Sequence, residues 1–450
     1  MVGYPKYKYS GFSWIGDIPE HWEIKRTKYV AKLYNGDSLN DEQKNAYSDF
    51  SESDETIPYI ASKDIDKDSC SVDYLNGTRI PKKEKNTNGR PFSNAPAGSS
   101  LLCIEGGSAG KKRCILDREV NFVNKLCCFV PKINGKFLFY YICSNSYWEN
   151  FKQNLQGMIG GVTVTKLGTF PIPIPTDSEQ KAISDYLDAE CRKIDDLIAK
   201  EEKRVSLLQE VRLSILTKAV LQGLYDGVET ATSKHSWLGN IPEHWKIMPL
   251  RYTANAKGCC FIDGDWIESK DIDYDGSIKY LTTGNVGPGF YKEQGLGYIT
   301  EEKFKELDCI DVLPGDLLIS RLNEPIARTC IVPDLGSRIV TAVDNVIFRP
   351  NPNVLDRKFA CYYMNNGRLT EHANIIARGA TMHRISRTML GHLPIVLPPL
   401  DEQREIVAFL DKECGQYSNR IAKANHQIDL LKEYKQSLIT EVVTGKRKVC

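Results

Sequence analysis

The chain has 450 residues, more than one ordinary hydrophobic core organises, so two or more domains are expected. Its composition, 41% hydrophobic and 26% charged, is that of a soluble globular protein, and no run of eighteen apolar residues marks a membrane span. A formal net charge of +1 argues neither for nor against nucleic acid, which requires a local basic surface rather than a basic whole. The opening MVGYPKYKYS lacks the apolar stretch of a signal peptide, so a cytoplasmic location is the expectation. Fourteen cysteines are scattered without a CxxC or a Cys/His zinc spacing, and neither a structural metal nor a disulfide framework is expected.

In chain order, the first distinctive phrase is WIGDIPEHWEI at 14–24. It returns as WLGNIPEHWKI at 237–247, an offset of 223. A second pair keeps the same offset: FPIPIPTDSEQKAISDYLDAEC at 170–191 and LPIVLPPLDEQREIVAFLDKEC at 393–414. The chain is therefore two similar halves. Between the anchors, 26–169 and 249–392 share only fragments such as KFLFYYICS against KFACYYMNN, so the frame reads as repeated and the middle as not. Trp14, Trp22, Trp237 and Trp245, with His21 and His244, recur in the frame, where a packing role is expected.

The middles contain short apolar runs broken by Gly, Pro, Asn and Asp: 57–65, 99–107, 120–131 in the first half and 278–286, 315–322, 342–350 in the second. These predict strands. After each second anchor the pattern turns helical. Ile183, Leu187, Ile194, Ile198, Val205, Leu208 and Ile215 form a stripe at spacings of 3, 4 and 7. Ile406, Leu410, Tyr417, Ile421, Ile428, Leu431 and Leu438 repeat it. Each helix would run to roughly 65 Å, which favours two helices packed along their length. The pattern alone leaves parallel and antiparallel pairing open. The expected division is 1–175, 176–224, 225–399 and 400–450, with a Gly/Thr/Ser-rich linker at 222–236: an α+β chain of two mixed domains, each followed by a long helix.

The doubled WxGxIPxHW phrase, the proline-rich strand end followed by EQ, and the long helix resemble the specificity subunit of type I restriction-modification systems, over essentially the whole chain. That resemblance implies two target recognition domains, each reading part of a split asymmetric DNA sequence, held apart by an antiparallel coiled coil. It also implies double-stranded DNA, two methyltransferase subunits and restriction subunits as partners, and no membrane. No cofactor is expected in this chain. S-adenosylmethionine, ATP and Mg²⁺ would sit on the partner subunits.

Candidate DNA contacts follow probable strands. In the first half they are Glu105, Ser108, Lys111, Lys112 and Arg113, with Thr163 and Lys166 before the second anchor. In the second half they are Arg321, Asn323 and Arg328, with Arg378, His383, Arg384 and Arg387 in the matching place. Arginine can pair bidentately with guanine, asparagine with adenine, and glutamate can accept from cytosine. A surface turn is the plainer reading of each cluster.

No phosphate-binding or methyltransferase motif is present. Two rival readings remain. One is a Mg²⁺-dependent endonuclease built on a loose PD…DxK pattern, Asp334 with Asp356 and Lys358. The other is a scaffold without DNA affinity.

Overall fold

The computed structural model describes residues 3–47, 55–156, 160–295, 297–377 and 383–449. It divides into two compact units, Met1–Glu202 with Asn425–Cys450, and Lys203–Ala424.

Each unit contains a small hairpin, Tyr7–Tyr9 with Asp17–Pro19 in the first and Thr230–Thr232 with Asn240–Pro242 in the second. The segment expected to be a plain linker therefore contributes a strand. A two-stranded ladder then joins the two anchors: Glu23–Arg26 pairs with Pro171–Ile174, and Lys246–Pro249 with Pro394–Leu397.

The middles share a topology that their sequences hide. In the first unit four antiparallel strands lie in the order Ala31–Asn35, Leu126–Pro131, Ser100–Cys103, Arg113–Ile115. In the second the order is Cys260–Asp263, Asn345–Arg349, Leu317–Ser320, Thr329–Ile331. Each also has a smaller sheet built round a parallel pair, Thr56–Ile60 with Val120–Phe122 and Ile278–Leu281 with Ile339–Thr341. Leu101, Leu102, Cys127, Cys128 and Phe129 are fully buried, as are Leu317, Leu318, Ile319, Val346, Ile347 and Phe348. These runs are apolar on both faces because each main sheet is covered on both sides. Close approach between the two sheets demands glycine at matching corners. A Cβ on Gly36 would lie 1.9 Å from the Phe122 carbonyl oxygen, and one on Gly264 2.4 Å from that of Thr341.

The repeated phrase exists because its two anchors bond to each other. Glu179 accepts from Trp22 Nε1 at 3.4 Å and lies 2.9 Å from His21 Nε2. Glu402 does the same with Trp245, at 3.1 Å, and His244, at 2.9 Å. Burial opposes the Glu179 charge, yet bonds from His21, Thr176 and Trp22 outweigh it and hold the carboxyl below its ordinary pKa. The neighbouring glutamine ties a different pair. Gln180 Nε2 donates to the Pro175 carbonyl and its Oε1 accepts from Asn134 N; Gln403 repeats this with Pro398 and Asp356 N. Asp188 accepts from Tyr140 and pairs with Lys136, while Asp411 accepts from Tyr362 and pairs with Lys358.

The two long helices run Asp177–Gln222 and Leu400–Val443. The opening half of the first belongs to the same unit as the closing half of the second, where Lys435 pairs with Asp195 at 2.7 Å. The closing half of the first lies with the opening half of the second, where Arg212 donates to Ser418 Oγ at 3.1 Å. The pairing is antiparallel. Along the stripe, Ile183, Leu187, Ile194, Ile198, Ile406, Leu410, Ile428 and Leu438 are buried. Val205, Leu208, Ile215, Tyr417, Ile421 and Leu431 are partly covered. The compact units cut across both helices, after Glu202 and after Ala424.

Candidate nucleic-acid interface

In each unit one inner strand of the main sheet, Ser100–Cys103 or Leu317–Ser320, runs out into a loop, and that loop meets the segment just before the second anchor. In the first unit Gly106 N donates to Gly160 O and Val162 N to Ile104 O, each at 3.0 Å, and Glu105 bridges to Gly161. In the second, Asn323 N donates to His383 O at 3.1 Å, Ile385 N to Arg321 O at 3.0 Å, and Leu322 bridges to Arg384. Segments separated by about sixty residues are thus joined into one surface per unit, by the same pairing in both.

Within the first surface, Glu105, Lys111, Thr163 and Lys166 are exposed. Ser108 is half-buried, and its carbonyl accepts from the backbone of Lys111 and Lys112. Thr163 Oγ1 caps a single helical turn by accepting from Lys166 N. Gly110 has φ +71°, and a Cβ there would meet the Trp148 ring at 2.5 Å, so the loop turns against an aromatic wall. Lys112 and Arg113 are not free to reach a base. Lys112 Nζ donates to Ser62 O at 2.7 Å, and Arg113 donates to the carbonyls of Gly110 and Cys143 at 3.3 and 3.2 Å.

Within the second surface the arginines expected to face guanine are committed to the protein. Arg321 is 5% exposed, donates to Val343 O and pairs with Asp263 at 3.2 Å. Arg328 spends its whole guanidinium on carbonyls: Nε on Val286, Nη1 on Leu322, Asn323 and Pro325, and Nη2 on Thr283. Burial draws both arginines below their ordinary pKa. These two organise the loop from beneath. Asn323 stands exposed with φ +60°, a conformation asparagine tolerates better than most residues. His383, Arg384 and Arg387 are about half exposed and face Glu324, Asp344 and Asp263 at 3.1, 2.7 and 3.6 Å. Arg378 lies outside the described residues.

What sequence reasoning missed is an aromatic fringe on the second unit. Trp266, Tyr274 and Phe290 are 67%, 76% and 54% exposed. No motif marks them; only burial separates them from core aromatics.

The endonuclease pattern dissolves. Asp356 is the cap of helix Arg357–Met364, accepting from Lys358 N and Phe359 N, and Lys358 pairs with Asp411 at 2.7 Å. Asp334 accepts from Gly336 N. Among the described residues no group of three or more His, Cys, Asp or Glu could hold a metal ion, and no helix is long and apolar enough to cross a membrane.

Two units of one topology, locked by identical frame bonds and presenting unlike loop surfaces, define a tandem recognition protein. Comparison with known proteins identifies the kind. The type I restriction modification DNA specificity domain matches residues 19–207 and again 242–427, and the chain belongs to that family. It is a DNA specificity subunit and not itself a catalyst. It is 23% identical to the type I restriction enzyme MjaVIII specificity subunit of Methanocaldococcus jannaschii, over 96% of this chain and 94% of that one. It is 22% identical to the EcoKI specificity subunit of Escherichia coli K12, over 91% and 87%. A solved structure from work on assembly and conformational transition of the type I system superposes with a TM-score of 0.66 at 16% identity. It covers 95% of this chain and 98% of that one, a likeness of fold.

Proposed function

We propose that the chain reads a split, asymmetric DNA sequence, one half-site per unit, and brings methyltransferase and restriction subunits to it. One observation carries this reading: the same loop pairing recurs in both units while its exposed side chains differ. Gly106 and Gly161 stand where the other unit offers Asn323 and Arg384, and the first surface exposes Glu105 and Lys111 instead. A shared frame with unlike readers fits two unlike half-sites at a fixed gap.

Docking of two methyltransferase subunits is supported by the helices. Leu207 and Val211 are 51% and 42% exposed, and their repeat equivalents Leu430 and Tyr434 are 44% and 50% exposed. Exposed apolar pairs one helical turn apart, present twice, suit one partner bound twice. S-adenosylmethionine, ATP and Mg²⁺ would then be held by the partners, and the complex would work on DNA in the cytoplasm.

The test is single-molecule mapping of methylated bases in the host genome with and without this gene. Loss of methylation at one split sequence with a constant gap is the expected result. An unchanged methylome in a host shown to express the partner subunits would overturn it.

A further inference from the structure

The turn after the first anchor places one cation–aromatic pair on the surface of each unit. Lys28 Nζ lies 5.1 Å from the centre of the Tyr29 ring, and Arg251 Cζ lies 4.9 Å from that of Tyr252. Arg251 Nη2 also donates to the Tyr252 hydroxyl at 3.1 Å. The pairs are related by the 223-residue offset that relates the anchors.

Both are held rigidly from below. Thr27 N donates to Phe170 O at 2.9 Å, Lys28 N to Gly168 O at 3.0 Å, and Leu250 N to Leu393 O at 2.9 Å. Thr27 and Val30 point inward, as do Leu250 and Thr253, which turns Tyr29 and Tyr252 outward at 63% and 52% exposure. Glycine sits beneath each cation: a Cβ on Gly168 would be 3.5 Å from Lys28 Cβ, and one on Gly391 3.2 Å from Arg251 Cβ. Neither ring serves the core of its unit, yet both halves keep it.

We propose that Lys28–Tyr29 and Arg251–Tyr252 are matched contacts to the DNA sugar-phosphate backbone, one in each unit, that grip without reading bases. The assignment rests on the chain's role as a DNA specificity subunit. Two half-sites differ in bases and share phosphate, so a feature common to both units suits phosphate, as features that differ suit bases. Ammonium or guanidinium beside a tyrosine hydroxyl gives adjacent donors for phosphate oxygens. A methyltransferase subunit is the other partner that would meet both units, and charge decides between them. Residues 23–33 carry four basic side chains and one acid, Glu23, which pairs with Lys25 at 3.1 Å. Residues 246–258 carry three basic side chains and no acid. Each segment is net +3 on a chain whose total is +1, as a polyanion site requires.

The test uses the specificity–methyltransferase complex carrying Lys28→Gln and Arg251→Gln together, titrated with a random-sequence duplex at several salt concentrations. Weaker binding is expected, with the slope of log affinity against log salt reduced by about 2. The methylated sequence in the host should stay the same. Tyr29→Ala with Tyr252→Ala should weaken the same binding. The thermal midpoint should hold in both variants, because Lys28, Tyr29 and Tyr252 are exposed and the half-buried Arg251 has a covered Nε that bonds to nothing. Unchanged affinity and slope would overturn the proposal, as would a changed target sequence. Loss of methyltransferase retention at unchanged salt slope would assign the patch to the protein partner instead. Failure of the unaltered complex to bind DNA in a salt-dependent way would sink the broader reading, which keeps the two failures apart.

Discussion

Lys112 donates its Nζ to the backbone carbonyl of Ser62 at 2.7 Å. Arg328 does the same to Thr283 at 2.9 Å, and both residues immediately precede the last strand of their four-stranded sheet. One latch, built from two different cations, thus fixes the turn of the smaller sheet against the reading loop in each unit. Arg328→Met should leave several carbonyls without donors and destabilise the second unit by about 2 kcal/mol. Faster amide exchange at Thr283–Val286 is the measurement. Lys111→Gln, on an exposed neighbour, should leave stability alone and weaken DNA binding. The latch is wrong if the first variant behaves like the second.

Gln180 and Gln403 are 1% and 0% exposed; each serves one backbone N–H, and Gln180 donates to the Pro175 carbonyl while Gln403 donates to those of Pro398 and Val354. Gln180→Leu or Gln403→Leu should lower the unfolding free energy by ~1–3 kcal/mol, because buried groups lose partners without gaining water. Glutamate should be no rescue, since it cannot donate to Pro175 or Pro398 at neutral pH. Thermal midpoints of the three forms at each site decide this.

Gly36→Ala and Gly264→Ala should each be severe, since the added carbon would lie far inside van der Waals contact with a backbone oxygen that no rotamer change can move. Both should reduce soluble yield sharply. Gly227→Ala makes a fair comparison, because a Cβ there meets nothing within 4 Å and only its φ of +83° opposes the change. Equal yields of all three would contradict the close approach.

Burial pushes the Asp265 carboxyl up to about 6, against the two bonds it accepts from Ile310 N. The folded chain therefore holds this proton more tightly than the unfolded chain, whose carboxyl titrates near 4. The stabilisation is present at the acid end, is lost as pH rises through about 6, and is flat above. Asp265→Asn should raise the thermal midpoint at pH 8 and match the unaltered protein near pH 4. A difference independent of pH would contradict the assignment.

Much of the frame was legible because 223 separates every anchor residue from its counterpart, and frame residues are identical for a bonding reason: Glu179 and Gln180 each satisfy fixed partners. The middles concealed their kinship because the offset drifts. Register equates Lys32 with Cys260 and Cys103 with Ser320, so insertions and deletions shift the count while strand order survives. The run 120–131 read as one strand but breaks at Val123–Lys125 into strands of two different sheets. Candidate base contacts were the least legible part. A sequence shows that Arg321 and Arg328 are cationic, and only packing shows that Arg321 is buried against Asp263 and Val343 and that the donors of Arg328 are already taken. The helix stripe was clear, but an apolar stripe reads alike in either direction, so orientation waited on Asp195–Lys435 and Arg212–Ser418.

The second unit is one uninterrupted stretch, residues 203–424, whereas the first needs residues 425–450 to cover its helix and to receive the Tyr7 hydroxyl at Gly445. Asn145 N reaches its partner Thr440 Oγ1 across 295 positions, while the matching bond in the second unit, Gly367 N to Thr217 Oγ1, spans 150. On the ribosome the half that is made first is therefore the half that can be finished last. A premature stop near residue 424 would spare the contiguous unit and strip the one encoded at the opposite end of the gene.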